Sequence, residues 1–433
     1  MHLIVSGFGS YGDVLPMVGL GAAMRARGHR VQAICNPYFR QVVENAGLEL
    51  LPLGTAEEYL ELAAHPDLWH PQRGLRLVME RGAAGYLRET YALVEAAYRP
   101  GETVLAAHGI DLASRIFHER HGAPMATVHF APFALPSLHD TPRYMGAGAL
   151  RYAPRWLKAA TLWASSRWII DPVLAPTVNA LRRDVGLPPI RGVFYGWNHS
   201  PQLVLGMFPD WYGAPQPDWP PQTYQAGFPL WDQCLAEAHL PEEVEEFLAA
   251  GEPPIVFAPG SANVQAGEFF RTAVEACQRL GRRGILATKY ADQLPRKLPA
   301  SVRHFSFVPF SLLLPRTAAL VHHGGIGTCA QGLATGVPQV VMPMAFDQLD
   351  NGLRLARLGV GSIVRLRHFR PRPVADALER LLTSSSVAER VRHWAGKCNG
   401  PAALAAASEQ LELLAGRSLP KSRQQPDLTV AAS

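Results

Sequence analysis

Residues 2–35 read HLIVSGFGSYGDVLPMVGLGAAMRARGHRVQAIC. A short, mostly apolar run (2–6) is followed by a glycine-rich turn (7–12). Residues 14–27 then carry apolar side chains at helical spacing, Gly28 stops them, and 29–35 is a second apolar run. The unit is strand, turn, helix, strand. It continues with a helical 38–46 closed by Gly47, a strand at 48–53, and strands at 103–107 and 125–129 with a helical 112–120 between them. Alternation of this kind builds a parallel sheet covered by helices on both faces.

Residues 141–202 are helical but irregular. Phe208, Pro209, Trp211, Pro215, Pro217, Trp219, Pro220 and Pro221 then form a run that neither a helix nor a central strand accommodates, and it reads as a linker. Beyond it the alternation restarts, with strands at 255–258, 284–288, 302–305, 318–322 and 339–342 and a helix at 268–280. The expectation is an α/β protein of two doubly wound, Rossmann-like domains, 1–215 and 216–416, facing a central cleft. Residues 417–433 read as a polar, flexible tail.

Of the 433 residues, 48% are hydrophobic and only 18% charged, which excludes general disorder. Forty-one Lys and Arg against 36 Asp and Glu give a net charge of +5. That charge is scattered, so it argues against a nucleic-acid partner while admitting an anionic small molecule or a transient membrane contact. The five cysteines (35, 234, 277, 329, 398) form no C-x-x-C pair, which argues against a disulfide framework or a structural zinc site. No apolar window reaches the ~18 residues of a membrane span, and residues 1–6 do not resemble a leader. The expected location is the cytoplasm, with peripheral contact at the inner membrane left open.

Gly7, Gly9 and Gly12 spell G-x-G-x-x-G, the dinucleotide fingerprint. Two features oppose that reading. The second strand ends at Cys35-Asn36, with no acid for a ribose hydroxyl, and Asp13 stands where a pyrophosphate would dock. Asp13 is instead a helix N-terminal acid or a general base at the carboxyl end of the first strand. In a doubly wound order His108, after the 103–107 strand, opens beside it. The run His322-His323-Gly324-Gly325-Ile326-Gly327-Thr328 between a strand and a helix suits phosphate, because glycines admit close approach and helix N-termini attract anions. Asp347 and Gln348, with Asn351 beyond, offer acceptors and donors to sugar hydroxyls. No D-x-D triplet marks a divalent metal, so no metal is expected.

Taken in order, Gly12-Asp13-Val14-Leu15-Pro16, Pro259-Gly260-Ser261, Phe307-Val308-Pro309, the 322–328 run, Gly336-Val337-Pro338-Gln339 and Asp347-Gln348-Leu349-Asp350-Asn351 resemble the family-1 nucleotide-sugar glycosyltransferases of GT-B fold. More narrowly, His199-Ser200-Pro201-Gln202, Phe208-Pro209, Pro217-Asp218-Trp219-Pro220 and Gly227-Phe228-Pro229-Leu230 look like the rhamnolipid rhamnosyltransferase chain. The resemblance implies an inverting, metal-independent transferase with Asp13 as base, assisted by His108. It implies that His322, Gly325, Thr328 and Ser261 meet the diphosphate and that Phe307 stacks on the pyrimidine while the Val308 backbone reads its edge. Asp347 and Gln348 would hold the donor sugar. An acid that plant members use on the ribose is replaced by Ala330.

The nucleotide-sugar is then a co-substrate and no cofactor is implied. The leading expectation is L-rhamnose from dTDP-rhamnose, or glucose from UDP-glucose, moved to a hydroxy-fatty-acid lipid. The alternatives are transfer to an aromatic or polyketide product, a GT-B epimerase, and a non-catalytic sugar-nucleotide-binding subunit. Trp163, with Trp156 and Trp168, belongs either to a hydrophobic acceptor pocket, to an interfacial helix touching lipid, or to the core. His129, closing the 125–129 run, is grouped with Trp163 on the acceptor side. The oligomeric state is not legible from the sequence.

Overall fold

The computed structural model describes residues 1–145, 147–232 and 239–418. Seven parallel strands form the first sheet: β1 (His2–Ser6), β2 (Arg30–Cys35), β3 (Glu49–Pro52), β4 (Thr103–His108), β5 (Met125–His129), β6 (Leu203–Gly206) and β7 (Thr223–Gln225). Six more form the second: β8 (Ile255–Ala258), β9 (Gly284–Ala287), β10 (Val302–Phe305), β11 (Ala319–His322), β12 (Gln339–Val341) and β13 (Gly361–Ile363). Their orders are β3-β2-β1-β4-β5-β6-β7 and β10-β9-β8-β11-β12-β13. Each order therefore reverses once, between β1 and β4 and between β8 and β11. At such a switch point the helices that follow neighbouring strands diverge to opposite faces and leave a crevice beyond the carboxyl ends.

The expected alternation is present, and three short strands add to it. The expected boundary at 215/216 falls between β6 and β7, inside the first sheet. The Pro- and Trp-rich run contains neither helix nor strand, but it is no loose linker. Phe208, Tyr212 and Trp219 are buried in one cluster with Cys329, Leu333, Val341 and Leu355 of the second domain. Aromatic rings of this size, fixed between prolines, form a wedge that both domains share. The last helix, Gly400–Ser418, returns to the first domain. Its Ala407, Leu411, Leu414 and Ala415 complete the core around Val14, Met17, Leu20 and Met24 of the helix Tyr11–Ala26. At its rim Glu412 accepts from Arg27 Nε at 2.9 Å and Nη2 at 2.6 Å, and pairs with His29 Nε2 at 2.8 Å.

Lys289, past β9, lies over the rings of Tyr38 (4.5 Å) and Tyr11 (5.5 Å) of the first domain, a cation–π bridge across the cleft. The four described cysteines are free. Cys234 and residues 419–433 of the expected tail lie outside the described residues, while Arg417 and Ser418 end the last helix. Among the described residues, no helix is long and apolar enough to cross a membrane.

Candidate active site

Asp13 enters the cleft from the first turn of the helix Tyr11–Ala26, which Ser10 caps. Its Oδ2 accepts from the Ser10 amide at 2.9 Å and faces the Ser10 hydroxyl at 3.4 Å. Oδ1 points to His108 Nε2, 3.7 Å away. The glycine before this turn has a steric cause: Gly9 has φ +112°, and a Cβ there would lie 2.4 Å from Asp13 Oδ2. His108 ends β4, beside β1, so the strand order brings the two residues together. Its ring is held near Phe8 and Phe130, at centroid distances of 6.4 and 5.4 Å. Its Nδ1 accepts from the Ile110 amide at 3.3 Å.

Across the cleft the helix Ile326–Ala334 begins at Gly325 with no side-chain cap, so its first amides face the gap. Gly327 there is close enough to the opposing helix that a Cβ on it would stand 4.0 Å from Gly12 Cα. Two helix N-termini thus face one another, one carrying a carboxylate and one bare. Thr328 is half-buried in the bare helix's first turn, and Ser261 is exposed after β8, the strand adjoining β11. Phe307 is exposed past β10 and Val308 is buried beside it.

The two adjacent histidines have different settings, and that of His322 does not suit the diphosphate contact expected of it. His322 closes β11, whose four residues are all buried. Its Nδ1 accepts from the Gly324 amide at 3.1 Å, and its Nε2 donates to Gln339 Oε1 at 3.0 Å. Burial pushes its pKa down to about 3, so the ring is neutral, and both nitrogens are taken, Nδ1 by the turn and Nε2 by Gln339 of β12. It braces the loop and has no nitrogen left for a diphosphate. His323 stands over Gly260 and Gly325 instead, and its Nδ1 is buried without a hydrogen-bond partner. Gly260 has φ +107° and would bring a Cβ within 3.0 Å of that ring.

Asp347 and Gln348 open the helix Gln348–Leu358. Asn351 Nδ2 donates to Asp347 Oδ2 at 2.7 Å and to the Gly324 carbonyl at 3.0 Å, while its Oδ1 accepts from Tyr212 of the wedge at 3.2 Å. One amide therefore ties the glycine turn, the carboxylate and the interdomain wedge. Burial raises the Asp347 pKa to about 7; the Asn351 bond opposes this, and the negative charge of Asp13 across the cleft adds to it. Gln348 is buried, and its Oε1 accepts from the amides of Met344 (2.8 Å) and Ala345 (3.1 Å). Its carbonyl end is thus held by the loop.

The two acceptor-side candidates differ in setting. His129 ends the fully buried β5, lies under Gly109 and meets His199 edge-on at 5.1 Å, so it does not open onto the crevice as expected. Trp163 is exposed on the helix Arg155–Ser165, edge-on to Trp168 at 5.3 Å.

Trp69, which the sequence reading passed over, crosses from the first domain to pack on the second domain's core. Its ring lies 6.2 Å from that of His323 and 6.0 Å from that of Phe346, and its buried Nε1 has no hydrogen-bond partner. Phe346 holds φ +55°, a strained setting for a bulky residue, immediately before Asp347. Trp69 sits in a stretch with no periodicity, and only the fold brings it to His323. Among the described residues, no group of three or more His, Cys, Asp or Glu side chains could hold a metal ion.

Two parallel-sheet domains with a cleft between their switch points define the GT-B fold, and comparison with known proteins gives the family. Residues 283–413 match the family model described as "Erythromycin biosynthesis protein CIII-like, C-terminal domain". The chain is 30% identical over 418 residues to the O-mycaminosyltylonolide 6-deoxyallosyltransferase of Streptomyces fradiae, covering 90% of this chain and 92% of that one. It is 29% identical over 397 residues to glycosyltransferase GtfC of Amycolatopsis orientalis, covering 90% and 91%. Among solved structures, the kitacinnamycin glycotransferase superposes with a TM-score of 0.73 at 22% identity, over 97% and 99% of the two chains. The spinosyn rhamnosyltransferase SpnG complexed with thymidine diphosphate gives 0.64 at 20% identity, over 94% and 100%. The chain belongs to the family-1 GT-B glycosyltransferases, the group that includes glycosyltransferases of antibiotic biosynthesis.

Proposed function

We propose that the chain transfers a 6-deoxyhexose from a thymidine diphosphate donor to a hydroxyl of a polyketide or aromatic natural product, inverting the anomeric carbon. The observation that carries this reading is the pair of facing helix N-termini. Asp13 keeps Oδ1 free of its own cap, and the uncapped amides from Gly325 to Thr328 lie opposite. An acceptor hydroxyl at Oδ1 gives its proton to Asp13 as its oxygen bonds to the anomeric carbon. The bond from that carbon to the diphosphate breaks on the far side, which inverts the centre. The departing charge is met by the amides of the 326–334 helix, by His323 and by Ser261. Asp347 and the Gln348 amide nitrogen hold the sugar, and Phe307 with the Val308 backbone holds the pyrimidine.

Relatives that act on macrolides favour this acceptor class over the hydroxy-fatty-acid lipid. Ala330 supports a thymidine donor, because a buried methyl at the place assigned to the ribose acid offers nothing to a 2′-hydroxyl. The test crosses dTDP- and UDP-sugars with polyketide, aromatic and hydroxy-fatty-acid acceptors, with mass spectrometry to detect products and NMR to read the new anomeric centre. Transfer from dTDP-6-deoxyhexoses to a natural-product aglycone, retained in EDTA, is the expected result. Isomerised donor without any acceptor would make the chain an epimerase, and a retained anomeric configuration would remove the single-displacement mechanism.

A further inference from the structure

The helix Arg155–Ser165 and the turn that continues it, Ser166–Ile170, partition their side chains in reverse. Lys158 is 8% exposed, its ammonium donating to the Leu138 carbonyl at 3.3 Å. Trp156, Trp163 and Trp168 are 71%, 61% and 65% exposed, and Tyr152, Leu157 and Ile169 are exposed with them. Trp156 and Trp163 are seven residues apart and share one helix face, which Arg167 continues. A globular surface seldom sets this much aromatic area in water unless something covers it.

We propose that this face docks on an anionic phospholipid surface. Charge complementarity selects that occupant. From Arg143 to Ile170 the chain carries Arg143, Arg151, Arg155, Lys158 and Arg167 and no acidic residue; Asp140 and Asp171 bound the stretch. Of these cations, Arg151, Arg155 and Arg167 are exposed among the rings, and Arg151 lies 4.4 Å over Tyr152. Exposed tryptophan and tyrosine beside arginine is the composition that settles at the headgroup level, where indole rings enter the acyl boundary and guanidinium groups meet phosphates. Asp171, on the inner side, accepts from the amides of Gly192 and Val193 and leaves the basic face unopposed. The contact proposed is peripheral: no described helix is long and apolar enough to span.

The experiment is cosedimentation of the full chain with vesicles of phosphatidylglycerol and phosphatidylcholine, against vesicles of phosphatidylcholine alone. Binding to the anionic vesicles, weakened by salt and reduced at least ~10-fold by combined Trp156→Ser, Trp163→Ser and Trp168→Ser substitutions, is expected. Quenching of wild-type tryptophan emission by brominated lipid tests the same contact without a variant. Absence of quenching, equal binding to both vesicle types, or unchanged binding of the substituted chain overturns the proposal. So does light scattering showing a wild-type dimer that the substitutions convert to monomer, which would assign the face to a second copy.

Discussion

Asp13 Oδ1 lies 3.7 Å from His108 Nε2, and the imidazole approaches as a proton donor. The Ile110 amide donates to Nδ1, which leaves the proton of the neutral ring on Nε2. The carboxylate is therefore the acceptor of the pair. Asp13→Asn keeps an oxygen for the Ser10 amide and so keeps the cap, but it loses the proposed base. Turnover should fall by at least ~10², while calorimetric affinity for dTDP stays within about twofold. His108→Gln, which still offers an amide N–H, should lose less than Asp13→Asn. The reverse ranking would move the base to the histidine.

His322 and His323 adjoin in sequence, yet their rings stand at 86° to one another with different partners. His323→Ala should weaken dTDP binding about tenfold and leave the melting temperature nearly unchanged. His322→Ala removes two buried hydrogen bonds and should cost about 1–3 kcal/mol in urea unfolding. If calorimetry finds the larger loss of dTDP affinity in His322→Ala without loss of stability, the assignment is inverted.

Trp69 brings an unpartnered indole N–H from the first domain to the rim of the second domain's site. Trp69→Phe retains the ring and removes the donor. We expect KM for the sugar nucleotide to rise about three- to tenfold, the worth of one hydrogen bond, with dTDP affinity unchanged. An unchanged KM would make the residue packing alone.

Asp347 supplies a pH signature. Its folded pKa, about 7, exceeds its ordinary 3.8, so the folded state binds the proton more tightly than the unfolded one. The stability this contributes is fully present below about pH 3.8 and is lost as pH rises to about 7. The urea unfolding free energy should therefore fall further from pH 5 to pH 8 for wild type than for Asp347→Asn, by on the order of 1 kcal/mol because the residue is only half-buried. Parallel declines would remove Asp347 as their source.

The central strands were legible because a parallel sheet buried on both faces demands unbroken apolar runs, and β1, β4, β8 and β11 supply them. Strands β7 (Thr-Tyr-Gln) and β13 (Gly-Ser-Ile) are three residues each and mostly polar or small, so they show no apolar run, and four-residue β6 abuts the proline run that hid it. Asp13 was legible through its place after a glycine turn. His322 and His323 were not separable, since a hydrogen bond from Gly324 and a glutamine on the next strand distinguish them. Trp69 reaches the site through a domain contact alone.

The last helix leaves the second domain and is clasped by Arg27 and His29 of the first. A fragment ending after β7 would thus expose the apolar flank that Leu411 and Leu414 cover, and would be expected to aggregate. Engineers replacing the second domain while keeping the first need two crossovers, one near residue 230 and one near residue 400. A single splice would strand the terminal helix on a foreign neighbour.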